Sequence, residues 1–339
     1  MQRLIAQRLL LMLPLMIGMT LIAFVVSHTL PADPVAANLG QHSMEDPTIV
    51  AAFRAQWGLD RPLPEQYLTY VRNLLQGNFG VSIRTHMPVA EDLGRYLPAS
   101  AELAIVATLV GTLVGIPFGV ISAVRRNQWI DHLVRGVSLL GVSSPVFWLG
   151  LISLYVFYFR LGWLPGPGRL DVGLPEPTHL TGMYTVDSLL TGKWPALASS
   201  LRHLILPGLV LASLYLGLVT RITRSSMLEV LSADYVRTAR GKGLRQRSVI
   251  YRHALNNALI PTITVLGLAF GDILAGTVLT ETIFSWPGIG RYAYQSAVTL
   301  DFPAIMGVSL VIAAVFILVN LATDLAYVLV DPRLRRSTA

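Results

Sequence analysis

Residues 234–244 read Asp-Tyr-Val-Arg-Thr-Ala-Arg-Gly-Lys-Gly-Leu and form the middle of a basic segment that runs from Arg221 to Arg252. Two long apolar stretches, 203–220 and 259–284, flank this segment. Stretches of this length and apolarity predict membrane-spanning helices, and a basic connection between them favours the cytoplasmic side. Glycine and alanine residues recur at ordered spacings between the charged residues. We therefore expect two short helices with a break at Gly-Lys-Gly, held as a structured element at the membrane surface.

The composition of the whole chain is that of a membrane protein. Of its 339 residues, 53% are hydrophobic and 13% are charged, whereas a soluble domain carries about 25% charged residues. The chain has no cysteine, which excludes disulfides, thiol catalysis and cysteine metal sites. The predicted fold class is an all-α polytopic membrane protein, because a transmembrane barrel would show short alternating segments instead.

Six spans are expected, and a polar, proline-punctuated region between the first two predicts a small extracytoplasmic helical subdomain. Helical periodicity within that region covers residues 46–57 and 64–75. The predicted spans lie at about 9–28, 100–122, 136–159, 203–220, 259–284 and 304–328. The predicted domains are the N-terminus with the first span (1–28), the extracytoplasmic subdomain (29–99), a core of five spans (100–328) with an outer loop (160–202) and an inner loop (221–258), and a tail (329–339).

The distribution of charge assigns the two sides of the membrane. The segments placed inside by six spans hold sixteen basic and four acidic residues, and those placed outside hold ten basic and twelve acidic residues. This bias agrees with the positive-inside tendency and predicts that both termini are cytoplasmic. The net charge of +7 therefore reflects topology, and no nucleic acid is expected as a partner.

No catalytic, cofactor-binding or metal-binding pattern stands out. Neither Lys193 nor Lys242 lies in a Gly-x4-Gly-Lys sequence, and there is no His-Glu-x-x-His or Gly-x-Ser-x-Gly motif. The seven histidines show no ligand spacing. Such a chain is passive, coupled to ions, or driven by a partner.

A few polar residues inside the predicted spans are candidates for a translocation path. Asp272 and Glu281 are carboxylates in or near apolar spans, where ionisable groups are costly and often functional. Ser143 and Ser144 lie within the third predicted span. Asp324, near the end of the sixth span, is a further candidate for ion coupling. The alternative for each carboxylate is a polar group packed against a neighbouring helix.

Several motifs together resemble the membrane-spanning permease subunits of bacterial ABC peptide importers, closest to the dipeptide type. Thr238-Ala239 followed by Gly243 resembles the family's coupling motif, with Arg237 in place of the general motif's Glu. Asn256 stands in place of a later Pro, and Gly241 stands where the peptide subgroup usually has Ala. The other matching stretches are 58–62, 223–231, 281–291 and 331–333, with a weaker match to the dipeptide branch at 180–187, so the resemblance covers nearly the whole chain.

The resemblance implies a type I ABC importer permease in the bacterial inner membrane. Besides the lipid bilayer, it implies four protein partners: a second, homologous permease, two cytoplasmic ATPases that bind ATP and Mg²⁺, and a periplasmic substrate-binding protein. This chain would have no ATPase site of its own. The docking residues carried over from the coupling motif are Asp234, Tyr235, Arg237, Thr238, Ala239, Arg240, Lys242, Gly243 and Arg247.

The transported substrate stays undecided at this point, since related permeases with the same architecture pass glutathione, nickel chelates, haem or peptide-like antibiotics. Two other classes also remain, an ion-driven carrier that uses Asp272 and Asp324, and a membrane scaffold or receptor without transport. The Pro-rich outer loop 160–202 either reaches into the binding protein or forms a surface lid.

Overall fold

The computed structural model describes residues 2–29, 46–57 and 60–330, and these residues are mainly helical. The only other regular feature in those ranges is an isolated antiparallel bridge between Val81 and Pro88. The helices are α1 (Gln2–Thr29), α2 (Pro47–Trp57), α3 (Leu63–Leu75), α4 (Val89–Val124), α5 (Trp129–Ser143), α6 (Val146–Ser153), α7 (Tyr184–Leu190), α8 (Trp194–Leu231), α9 (Asp234–Gly241), α10 (Leu255–Gly276), α11 (Val278–Ile283), α12 (Ile289–Val298) and α13 (Phe302–Val330). Two π-helical turns also occur: Leu154–Arg160 extends α6, and Val249–Ala254 precedes α10. A three-residue helical turn, Gln246–Ser248, leads into the second of them.

Within the described residues, three helices are long and apolar enough to cross a bilayer: α4, α8 and the first 22 residues of α13. The pair formed by α5 and α6 with its π-helical extension also qualifies if it is taken as one span. A shorter apolar helix covers Leu13–Val25 within α1. The count of six spans stays a prediction.

The third predicted span, at about 136–159, is not one straight helix. It consists of α5 and α6, which are bent by 101° at a short break. Ser144 at the break is extended, with φ −82° and ψ 131°. Pro145 explains the break, since proline lacks an N–H and disfavours helical backbone in the residue before it.

The fourth predicted span, 203–220, is longer in the structure. Helix α8 has 38 residues and ends at Leu231, so the basic segment that starts at Arg221 begins as a continuation of the span. A helix of this length measures about 57 Å, well beyond the roughly 30 Å of hydrocarbon. Its last turns therefore carry polar residues away from the membrane core.

The chain divides into two compact units, of which one comprises Ala101–Trp286 and the segment from Val319. In this unit, small residues bring α4 against α8. A Cβ added to Gly115 would lie 2.9 Å from Val219 Cγ1, and one added to Gly119 would lie 2.6 Å from Thr223 Cβ. Neither distance is tolerable, so the four-residue glycine spacing in α4 permits a helix approach that alanine would prevent.

The second unit comprises Gln2–Ser100 and Pro287–Leu318. Helices α2 and α3 lie where the periodicity predicted them. The Thr20 hydroxyl in α1 and the Tyr67 hydroxyl in α3 share a hydrogen bond of 2.9 Å. A buried cluster joins α4, α12 and α13: Val89, Leu93, Ile289, Tyr292, Ala304 and Val308. The matching stretches 58–62 and 331–333 fall partly or wholly outside the described residues.

Candidate functional site

Helix α9 is short and amphipathic, and it lies at the centre of the predicted docking segment. Val236 and Ala239, three residues apart, are 0% and 7% exposed. They pack with Val249 and with the end of α8 at Val230 and Leu231. Residues three apart share one helix face, so the apolar face seats α9 on the protein and its other face is free.

The free face of α9 and the turn after it present polar and cationic side chains. All of the remaining predicted docking residues are exposed: Asp234, Tyr235, Arg237, Thr238, Arg240, Lys242, Gly243 and Arg247. Arg237 Nη1 lies 3.6 Å from Asp234 Oδ1, but both side chains are largely in solvent. An exposed pair of this kind adds little stability, so most of this charge is available to another molecule. Ala239 differs from the rest, because it belongs to the buried face.

The two glycines after α9 have different roles. Gly243 has a φ of +74°, and its N–H donates to the carbonyl of Arg240 at 2.9 Å. This left-handed residue ends the helix, and a side chain there would be strained. Gly241 is still helical, and a Cβ added to it would meet nothing within 4 Å. The turn therefore depends on Gly243 and not on Gly241, although the sequence suggested both.

Helix α9 is tied to the helices that flank it. Asn257 Nδ2 in the first turn of α10 donates to the Tyr235 hydroxyl at 2.7 Å. Beneath α9, Met227 of α8 and Ala258 of α10 belong to one buried cluster that also includes Val120 of α4. Packing therefore links α9 to the end of α8 and the start of α10, and through them to the end of α4.

A buried ion pair reinforces the same end of the unit, and the sequence analysis did not single it out. Arg224 of α8 binds Asp131 of α5 with two hydrogen bonds of 2.8 Å, through Nε and Nη2. Arg224 Nε also donates to Ser122 Oγ at 3.0 Å, and the Asn127 N–H donates to Asp131 at 2.9 Å. Asp131 is completely buried. The pair fixes α4, α5 and α8 to one another.

The candidate path residues have different environments. Ser143 is exposed and Ser144 is half-buried at the break between α5 and α6. Glu281 in α11 is completely buried and accepts a hydrogen bond of 2.6 Å from the Thr277 hydroxyl. This environment fits a packed polar group. The side chains of Asp272 and Asp324 lie outside the described part of the structure, so their role stays a prediction.

The outer loop 160–202 is held by a buried arginine. Arg169 Nη2 donates to Glu102 of α4 at 2.6 Å and to the Gly182 carbonyl at 3.1 Å. The guanidinium carbon lies 3.7 Å from the ring centroid of Tyr184 and 5.3 Å from that of Trp286. Such cation–π contacts are strongest where water is excluded. The pairing joins residues 67 positions apart, which sequence spacing does not reveal.

A second anchor within the outer loop is Asp187. Its carboxylate accepts hydrogen bonds from the backbone N–H groups of Leu180, Thr181 and Gly182, and from the Thr181 hydroxyl. Burial raises the pKa of Asp187, but these hydrogen bonds outweigh burial and hold the pKa below its usual value. Burial also raises the pKa of Tyr184 to about 12. By contrast, the stretch 171–176 is mostly exposed.

Together, the long apolar helices and the exposed basic helix α9 define a polytopic membrane protein. Its ordered polar segment lies between the long helices α8 and α10. The chain matches the family "Binding-protein-dependent transport system inner membrane component" over residues 115–336, and the corresponding N-terminal family over residues 1–104. It belongs to this family of multi-pass inner membrane transport proteins.

Curated relatives are similar over nearly the whole chain. The "Probable D,D-dipeptide transport system permease protein DdpB" of Escherichia coli K12 is 50% identical, over 94% of this chain and 93% of that protein. The "Dipeptide transport system permease protein DppB" of Alkalihalophilus pseudofirmus is 43% identical over 97% and 98%, and that of Escherichia coli K12 is 41% identical over 98% of each. The predicted family resemblance is confirmed.

A solved structure shares the fold. The chain aligns with a structure of the MetNI methionine ABC transporter, in inward-facing conformations, with a TM-score of 0.50 and 14% identity. The alignment covers 69% of this chain and 93% of that one. This likeness confirms the ABC importer permease fold.

Among the described residues, no group of three His, Asp or Glu side chains is arranged to hold a metal ion.

Proposed function

We propose that this chain is a permease subunit that passes dipeptides or other short peptides from a periplasmic binding protein across the inner membrane, driven by ATPases that dock on α9. The observation that carries the proposal is that one face of α9 is buried against the rest of the protein. Two buried residues fix α9 to the end of α8 and to the π-helical turn that precedes α10, while its cationic face remains exposed. The relatives named as dipeptide permeases support the cargo.

The coupling mechanism follows from how α9 is held. A cleft in an ATPase subunit that receives α9 would move when the ATPase closes on nucleotide. That movement would reach α10 through Tyr235 and Asn257, and α8 through the packing of α9 on Val230 and Leu231. Because these helices are packed, the displacement shifts whole spans and so alters access across the membrane.

The chemistry of ATP hydrolysis is assigned to the partners. The sequence carries no phosphate-binding loop, and ATP with Mg²⁺ is expected on two cytoplasmic ATPase subunits. A second, homologous permease is expected to complete the path as a heterodimer. Both termini are expected in the cytoplasm, on the same side as α9, in accord with the distribution of charge.

The binding protein is expected on the opposite side of the membrane. The exposed stretch 171–176 of the outer loop includes Val172, whose side chain is fully exposed. It projects from a loop that Arg169 and Asp187 hold in place. A protruding segment on a fixed base suits contact with the cargo-bearing protein, since little ordering entropy is lost on binding.

The proposal is tested with the complex of two permeases, two ATPases and binding protein in proteoliposomes. Arg240→Gln should lower peptide-stimulated ATP hydrolysis and peptide uptake together, whereas Arg126→Gln, which removes an exposed charge between α4 and α5, should leave both unchanged. Uptake that persists without ATP but follows an imposed ion gradient would contradict the proposal and support a secondary carrier.

A further inference from the structure

A groove of about 650 Å³ with several basic side chains in its lining lies between α5 and α8, apart from the face of α9. Its lining includes four basic side chains, His132, Arg135, Arg221 and Arg224, and no acidic residue. Arg224 is neutralised by its two hydrogen bonds to Asp131. Arg135 and Arg221 are exposed and, within the described part of the chain, make no ion pair. The groove therefore attracts a net anion.

The polarity of the groove changes along the helices. Arg221 directly follows the apolar stretch 203–220, which places it at the edge of the hydrocarbon. Further along the antiparallel α5, the lining becomes apolar at Leu139 and Val142, which are 67% and 47% exposed. The cationic end lies at headgroup level and the apolar end at the level of acyl chains.

An unpartnered hydroxyl lies between these two ends. Ser138 lines the groove, is 7% exposed, and its Oγ makes no hydrogen bond within the described residues. Buried polar atoms nearly always have a partner, and a serine in a helix usually bonds to the carbonyl four residues before it. The Oγ atom itself has almost no exposed surface, so Ser138 belongs to the wall of the groove and marks the level between its cationic and apolar ends.

We propose that this groove binds an anionic phospholipid, with the phosphate on Arg135 and Arg221, the ester region near Ser138, and an acyl chain along Leu139 and Val142. Basic pockets between transmembrane helices on the cytoplasmic side are suited to such headgroups. A zwitterionic peptide fits less well, because no acidic side chain lines the groove to receive its ammonium group. The lipid proposal rests on the membrane orientation given under the proposed function. Its test measures lipid binding and not transport, so the lipid proposal and the proposed transport function can fail separately.

The test measures phosphatidylglycerol retained by the full-length chain, purified with its partner permease from bilayers of mixed phosphatidylglycerol and phosphatidylcholine, by native mass spectrometry. The variant is Arg135→Gln with Arg221→Gln. The matched control, Arg126→Gln with Arg245→Gln, removes two exposed charges outside the groove. Two arginine contacts to an anionic lipid correspond to roughly a thirtyfold loss of bound phosphatidylglycerol in the variant. The control should retain the wild-type amount, and phosphatidylcholine should be unchanged in both.

Three outcomes would overturn the proposal. The first is equal phosphatidylglycerol in variant and control, and the second is an equal fall in both lipids. The third outcome is that the partner permease covers the groove. It is tested by placing a single cysteine in the groove lining of this cysteine-free chain with Ser225→Cys. Crosslinking of that cysteine to the partner permease would show that protein, and not lipid, occupies the groove.

Discussion

The helix α9 and the outer loop 160–202 both connect long helices, and both are polar, but they are built in opposite ways. In α9 the charged residues are exposed, and two small apolar residues hold the helix. In the outer loop the charged residues Arg169 and Asp187 are buried and hydrogen-bonded, Arg169 to Glu102 of α4. The charge in α9 is therefore open to solvent, where another molecule can reach it, whereas the buried charges of the outer loop fix the conformation of the loop itself.

The largest expected effect comes from breaking the buried pair of the outer loop. Arg169→Ala leaves Glu102 buried with only Thr185 as a hydrogen-bond donor. Removing one partner of a buried ion pair costs about 3–5 kcal/mol, so the variant should unfold well below the wild-type temperature in a detergent melt. His179→Ala, which removes an exposed pair with Glu176, is the control and should change the melt little. Equal melting temperatures would mean that the pair does not anchor the loop.

A smaller effect is expected at the turn after α9. Gly243→Val places a β-branched side chain at a φ of +74°, which costs roughly 1–2 kcal/mol and distorts the turn. The protein should still insert in the membrane, but less ATPase should copurify with it, and added peptide should no longer stimulate ATP hydrolysis.

The control for that variant is Gly241→Ala, which fills open space in a helical position and should be neutral or slightly stabilising. If Gly243→Val couples normally, or if Gly241→Ala is as harmful, the assignment of the turn is wrong.

A third variant tests the link between α9 and α10. Tyr235→Phe removes the hydroxyl that Asn257 binds, with a loss of about 1 kcal/mol at most because the site is exposed. The ATPases should remain bound, while the peptide transported per ATP should fall by a factor of a few. A fall in ATPase binding instead would place Tyr235 in the docking contact itself.

The smallest effect at neutral pH concerns Asp187. Because its folded pKa is lowered, its stabilising contribution is complete above the ordinary aspartate pKa of about 3.9 and declines as the pH falls through the folded pKa. Amides of residues 180–182 should lose hydrogen-exchange protection on acidification, after correction for intrinsic rates. Hydrogen-exchange protection of these amides that stays constant down to pH 2 would contradict a lowered pKa of Asp187.

Much of this organisation follows from local patterns. The apolar lengths and the basic residues around Gly243 are local, and they predicted the membrane class and a structured α9. The glycine spacing that lets α4 approach α8 closely is an equally local pattern. Pro145 could have indicated the break between α5 and α6. The π-helical turn Val249–Ala254 has no comparable local mark.

The buried pairs could not be predicted in the same way. Asp131 with Arg224, and Glu102 with Arg169, are separated by 93 and 67 residues. Each partner alone resembles an ordinary loop or interface charge, because single residues carry no information on which distant helix lies beside them. The end of α8 was missed for a related reason, since its last eleven residues mix polar side chains with the apolar ones that pack against α4 and α10.

The central claim is that α9 is the docking surface for a cytoplasmic ATPase. The most direct measurement is disulfide or short-linker crosslinking from Arg240→Cys, unique in this cysteine-free chain, in the assembled complex. The account predicts a crosslink to an ATPase subunit whose yield changes when nucleotide binds, and none from Arg126→Cys. A cysteine at residue 240 that reacts freely with solvent in the complex, and crosslinks to no subunit, would contradict it.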